Sequence, residues 1–286
     1  MSDISRNCNV TIGDVAISIA GEFKNSRREI QPNYRPFLKN GKPDITLQLH
    51  RRAGSPLAGK KIFDSSPIWK LYRENGTTVF KIFGSMSGLA RALVLSPELN
   101  HADLYLANPS ARFLDPFYGP TMELLMINYL TLGRGRGVIL HACGIERDGK
   151  GYLFAGESGA GKSTLARLWG RQKGVEVLSD DRTIVRKKDG QYWMYGTPWH
   201  GEAKFGAPGG VKLENIFFLR HASRNAIQAV TGAPSVTQFL KCSFPPYWDA
   251  AGMEFAMEFF SKLTAAVACQ TLSFRPDDSV IDLILR

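Results

Sequence analysis

The chain is poor in cysteine: Cys8, Cys143, Cys242 and Cys269 are the only four among 286 residues, and none stands in CxxC spacing. A disulfide framework and a clustered zinc site are therefore excluded. No apolar run approaches the roughly 20 residues that a membrane span needs. The opening MSDISRNCNV also lacks the charged-then-apolar pattern of a signal peptide, so the expectation is a cytoplasmic protein with no membrane partner. Zinc-finger and RRM signatures are missing too. The net charge of +10 therefore does not by itself point to nucleic acid. Acidic residues are scarcest at the front, where residues 1 to 100 hold 15 Lys and Arg against 8 Asp and Glu. Clusters such as Arg27-Arg28, Arg51-Arg52 and Lys60-Lys61 form either a solvated surface or a docking face for an acidic partner.

What the chain does have is apolar and aromatic content, 44% and 11%, enough for a substantial core. From Asn9 to about Phe83 short alternating segments (VTIGDVAISIAG, ITLQLHRR, IWKLYR, TTVFKIF) predict an antiparallel β region, with a loop from Asn25 to about Pro43. The last two segments flank Glu74-Asn75-Gly76, and Asn-Gly is the signature of a type I′ hairpin turn. Past Pro120 the period changes. Met122, Leu125, Met126, Tyr129 and Leu130 recur at helical spacing, and GRGRG follows as a stop. Two strands around Asp148-Gly149-Lys150-Gly151 come next, and an apolar helix is expected over Ala250 to Ala268. The expected fold class is α/β, with a β-rich region over 1–118 and an α/β domain over 119–286.

The second of those strands, YLFA, runs into Gly156-Glu157-Ser158-Gly159-Ala160-Gly161-Lys162-Ser163, followed by the helix-like TLARLWGRQ. This fits GxxxxGK[ST] in the strand–loop–helix setting of a phosphate-binding loop. The glycines let successive N–H groups face an anion, and the helix start adds partial positive charge. Lys162 is then expected at the β and γ phosphates, Ser163 at a magnesium ion, and Thr164 near the α phosphate.

The strand Val175 to Leu178 ends in Ser179-Asp180-Asp181, 17 and 18 residues beyond Ser163. Carboxylates there would serve two roles, holding the metal and accepting a proton from an attacking hydroxyl. Neighbours on an extended strand face opposite ways, so the sequence does not assign the roles. Both are catalytic candidates, with Ser163 and Asp181 as candidate metal ligands. Either Asp→Asn change is expected to remove transfer and leave the fold intact. His141, within VILHACGI, is by composition a core histidine. The segment Thr197-Pro198-Trp199-His200-Gly201-Glu202 is a candidate positioning loop, with His200 and Glu202 as substrate contacts, and Gly206 to Gly210 is expected to close over a substrate.

A histidine strand, a GxSGxGKS loop and a strand ending in Asp-Asp together resemble the catalytic domain of HPr kinase/phosphorylase, whose fold is related to phosphoenolpyruvate carboxykinase. The resemblance covers about residues 138 to 220. It implies phosphoryl transfer to a serine hydroxyl and places His141 in the active site with Lys162, Asp180 and Asp181. Two departures stand against carrying over the phosphorylase reaction and HPr itself: Thr164 replaces an acidic residue, and YGTPWHGE stands where a glycine-rich signature is usual. The whole chain looks more like the HPr kinase-related proteins of peptide-modifying gene clusters, lasso-peptide precursor kinases among them. The implied reaction uses ATP and Mg²⁺ to phosphorylate serine on a small protein or precursor peptide. A kinase for a small molecule such as serine or a sugar, and a nucleotide-sensing module without transfer, are the alternatives. The sequence leaves homo-oligomer formation open.

Overall fold

The computed structural model of the chain describes residues 8–21, 30–50, 59–84, 89–106, 117, 119–133 and 136–286. The Arg27-Arg28 and Arg51-Arg52 clusters and the Arg134-Gly135 part of GRGRG lie outside the described residues. The protein is mixed α/β and forms two compact units, Met1–Thr11 with Val15–Arg134, and Ile12–Asp14 with Gly135–Arg286.

The first unit holds one eight-stranded sheet. Its strands are β1 (Cys8–Ile12), β2 (Val15–Ala20), β3 (Ile45–His50), β4 (Lys60–Ser65), β5 (Trp69–Glu74), β6 (Thr77–Phe83), β7 (Leu89–Leu95) and β8 (His101–Leu106), and the spatial order is β1-β2-β3-β8-β7-β6-β5-β4. Alternation explains the strands: β1 and β3 bury every second residue, Val10 and Ile12 in one and Ile45, Leu47 and Leu49 in the other. The β5–β6 hairpin turns as its residues require, with Asn75 at φ 48° and Gly76 at φ 79°. The sheet is not wholly antiparallel as expected, because β3 pairs parallel with both β2 and β8. A parallel pair needs a long crossover, and the expected loop before β3 supplies one, including a 3-10 turn over Pro32–Phe37. The helix α1 (Thr121–Leu132) groups with this unit, not with the residues after it as the 118/119 division had it. Its apolar residues are not confined to a stripe. Met122 to Thr131 are nearly all buried, and Asn128 satisfies its amide inside the helix by donating to the Leu124 carbonyl at 2.7 Å.

The second unit contains β9 (Gly137–Arg147), β10 (Lys150–Ala155), α2 (Lys162–Trp169), β11 (Val175–Ser179), β12 (Arg182–Lys188), β13 (Gln191–Tyr195), β14 (Gly210–His221), β15 (Ala226–Ala229), α3 (Ala233–Lys241), α4 (Ala250–Ala266), β16 (Ala268–Phe274) and α5 (Ser279–Ile284). The long strands β9 and β14 each change partners along their length. β9 pairs with β12 up to His141 and then with β10 on one side and β11 on the other. β14 leaves β13 after Lys212 to lie parallel to β10 and β16. β10 is thus held between an antiparallel and a parallel neighbour and is buried on both faces, which is why YLFA reads as an unbroken apolar run. Tyr152 and Phe154 pack toward Leu165 and Trp169 of α2 and Val280 of α5. Leu153 and Ala155 point the other way, to Phe239 of α3 and Phe260 of α4. Two cores, one on each face, clamp the strand that ends at the glycine loop. Asp249 caps α4 by accepting from the Gly252 N–H at 3.2 Å, a contact typically contributing about 1 kcal/mol.

Candidate functional site

The loop from Gly156 to Gly161 closes the gap between β10 and α2. Gly159 and Gly161 take φ of 81° and 95°, values an L side chain adopts at a cost, and a Cβ on Gly161 would meet the Phe274 ring at 2.6 Å. The loop is tied from outside at both ends. The Gly156 N–H donates to the His141 carbonyl at 3.2 Å, and His221, at the end of β14, has Nε2 2.6 Å from the Gly159 carbonyl. Lys162 is buried and folded back, its ammonium donating to the Gly156 and Glu157 carbonyls at 2.8 Å each. Burial lowers the Lys162 pKa from its ordinary value, although Asp181 and Asp180 pull it upward. Glu157 and Ser158 are exposed, and Thr164 is half-buried in the first turn of α2.

Ser163 is brought to Asp180, and not to Asp181, the aspartate that the sequence reading set beside it as metal ligand. Its hydroxyl donates to Asp180 Oδ2 at 3.1 Å. Asp180 is otherwise enclosed by backbone: Ala203 N–H reaches Oδ2 at 2.8 Å, while Gly201 and Phe205 N–H reach Oδ1 at 2.9 and 3.2 Å. A carboxylate offers about four acceptor positions, so all of them are taken. Asp180 is 1% exposed.

Asp181 faces a different set. Its Oδ1 lies 2.9 Å from His141 Nε2, its Oδ2 accepts from Arg182 Nη1, and the Arg182 guanidinium in turn lies over the Phe244 ring at 4.9 Å. Burial pushes the Asp181 carboxyl up, but the His141 hydrogen bond and the charges of Arg182 and Lys162 outweigh it, and the pKa lies below the ordinary 3.8. Strand pairing fixes this cluster: His141 of β9 sits opposite Arg182 of β12, and Ala142 N–H donates to the Asp181 carbonyl at 2.9 Å.

The segment 197–206 reaches the site through its backbone. Thr197 is buried and donates to the Arg182 carbonyl at 2.5 Å, and Trp199 is buried as well. His200 and Glu202 are exposed, and the contacts made to Asp180 come from the peptide groups beside them. The segment expected to close over a substrate is instead tied down: Ala207 N–H donates to the Leu178 carbonyl at 3.0 Å, and Gly196 N–H donates to the Gly209 carbonyl at 3.2 Å. Two of its glycines serve close packing, since a Cβ on Gly206 would stand 2.8 Å from the Thr197 carbonyl oxygen and one on Gly210 would stand 2.3 Å from the Tyr195 ring.

Beside the glycine loop opens a cleft of about 320 Å³ whose far wall includes Leu219, His221, Gln238, Lys241 and Cys242. None of these was legible as a site residue, because β14 and α3 meet the loop only through the fold. All four cysteines are free and buried, and burial pushes the Cys242 thiol up to about 12. Among the described residues no three His, Cys, Asp or Glu side chains converge as a metal cluster, and no helix is long and apolar enough to cross a membrane.

The family model described as SynChlorMet cassette protein ScmC matches residues 120–258, just under half of the chain. The matched span takes in the glycine loop, both aspartates, the 197–206 segment and α3, and stops within α4. No curated protein matches. Among solved structures, the Hpr(Ser) kinase/phosphatase from Coxiella burnetii is similar at 16% identity and a TM-score of 0.31, over 52% of this chain and 93% of that one.

Proposed function

We propose that the chain is an ATP- and Mg²⁺-dependent kinase that transfers the γ-phosphate to a serine hydroxyl of a small protein or peptide, lasso-peptide precursors among the candidates. The observation that carries this reading is the pair of bonds at one strand end: Ser163 to Asp180, and His141 to Asp181, directly beside a glycine loop with its lysine. Pure nucleotide binding has no use for the second of these.

Hard oxygen donors suit magnesium, which keeps several waters and relies on phosphate oxygens, so Ser163 and Asp180 fit it without a three-residue cluster. Bound there, the ion would neutralise charge on the transferred group. Because Asp180 has no acceptor position to spare, Ser163 is the partner that turns away and frees one, its other three partners being peptide groups. This favours Asp180 beside Ser163 for the metal, and Asp181 for the proton. Lys162 would leave its two carbonyls for the phosphates. Asp181, oriented by His141, would take the acceptor hydroxyl proton as that oxygen attacks the γ-phosphorus and the bond to ADP breaks. Arg182 would have to release Asp181, and its guanidinium suits the phosphate oxygens nearby.

For the acceptor, support comes from the first unit. Its order ends at β4, where Lys60, Lys61 and Ile62 are exposed, and an extended basic edge suits a peptide adding as a further strand. Membership of a cassette, as the matching family model is described, fits an enzyme acting on a partner's product.

The test is mass spectrometry after incubation with Mg²⁺ and ATP of three acceptors: a serine-bearing precursor peptide, an HPr-like protein and free serine. Added phosphate on either polypeptide supports the proposal. Phosphate on free serine alone makes it a metabolite kinase, and nucleotide binding without any transfer makes it a sensing module.

A further inference from the structure

The glycine loop accounts for one wall of the 320 Å³ cleft and leaves the other unexplained. We infer that this second wall is a nucleobase site that takes the adenine of a nucleotide, with the base stacked on His221. The inference rests on the reading of the loop as a phosphate site.

His221 is exposed, lines the cleft, and is fixed from two directions. Buried Phe274 backs the imidazole in a stacked arrangement, with ring centroids 5.8 Å apart and planes at 27°. The bond between Nε2 and the Gly159 carbonyl holds its edge and requires the proton on Nε2, since a carbonyl only accepts. An aromatic ring pinned behind and along one edge presents its opposite face, already ordered, to a planar ligand. Gln238 and Lys241 stand three residues apart on α3, hence on one side of that helix. A glutamine carboxamide pairs with the amino group and N7 of adenine. The Lys241 ammonium suits ribose oxygens or an α-phosphate. Cys242, its thiol held neutral, adds an apolar wall. The volume lies at the lower end of small-ligand pockets, about 300 to 1,000 Å³.

A histidine that merely braces the loop would show the same hydrogen bond, so the test separates base from phosphates. Calorimetric titration of ATP, GTP and inorganic tripolyphosphate, each with Mg²⁺, is carried out on the full chain and on His221→Ala, His221→Phe and Gln238→Ala. The wild-type protein is expected to bind ATP more tightly than tripolyphosphate. His221→Ala should weaken ATP about tenfold while changing tripolyphosphate less than about twofold. His221→Phe, which keeps the stack and loses the bond to Gly159, should regain most of the ATP affinity, and Gln238→Ala should erase a preference for ATP over GTP. Equal loss of ATP and tripolyphosphate in His221→Ala overturns the inference and leaves a brace. Equal wild-type affinity for ATP and GTP overturns the adenine assignment. If the wild-type protein binds neither ATP nor tripolyphosphate, the phosphate-site reading fails and the base site falls with it.

Discussion

Asp180 and Asp181 are neighbours of identical chemistry, yet the fold gives them opposite surroundings. Asp180 is enclosed by three peptide N–H groups and one hydroxyl, whereas Asp181 is held by two side chains, His141 and Arg182. Peptide groups locked in a packed segment cannot follow a ligand, while side chains can rotate away at the cost of one or two torsions. The comparison teaches that the same residue type becomes a fixed anchor or a releasable base according to what its partners are attached to.

The largest effect that could break this comparison is on turnover. Asp181→Asn should lower phosphate transfer by about 10²- to 10⁴-fold while lowering the urea midpoint less than Asp180→Asn does, as read by acceptor phosphorylation beside a urea melt. Near-normal transfer would end the case for Asp181 as base. Asp180→Asn is expected to behave differently, because an amide NH₂ would face peptide donors. Destabilisation of about 2 to 4 kcal/mol should appear as a lower urea midpoint. Equal stability of the two Asn variants would erase the distinction between the two surroundings. A smaller disturbance is Gly201→Ala, whose Cβ would lie 2.9 Å from Asp180 Oδ2. Overpacking of about 1 to 3 kcal/mol is expected, with magnesium-dependent transfer more impaired than nucleotide binding.

The subtlest check is pH. Asp181 has a depressed pKa in the folded protein, so the carboxylate contributes stability that is present above the unfolded value and is lost as pH falls through the folded one. The urea-midpoint difference between wild-type protein and Asp181→Asn should therefore hold near neutrality and shrink below about pH 4, where an ordinary carboxyl titrates. A difference that grows on acidification would mean that the pairing with His141 and Arg182 has been misread.

These contrasts mark where sequence reasoning succeeds and where it stops. The glycine loop was legible because each of its demands is a residue type: small residues where φ is positive, a lysine and a hydroxyl at the helix start. The β5–β6 turn was legible for the same reason, in Asn75 and Gly76. That an aspartate stands beside Ser163 followed from motif spacing, but which of the two did not, since neighbours on a strand face opposite ways. The rest depends on distant neighbours. Nothing local in the alternation of VAISIA tells a parallel from an antiparallel partner, so the crossover before β3 went unread. His221 and Gln238 carry no motif of their own, and only the parallel pairing of β14 with β10 and the packing of α3 on that sheet bring them to the loop. His200 and Glu202 drew notice as titratable side chains, while the contacts of that segment with Asp180 run through the main chain.

That last feature bears on how such a site drifts over generations. Donors at 201, 203 and 205 belong to the peptide unit, which every residue except proline supplies. Most exchanges at 203 and 205 would leave the enclosure of Asp180 standing, while proline at either would delete a donor and Gly201 tolerates no added carbon without adjustment. Relatives can thus share this enclosure with hardly a matching letter across the segment, betrayed by a glycine at 201 and the absence of proline at 203 and 205.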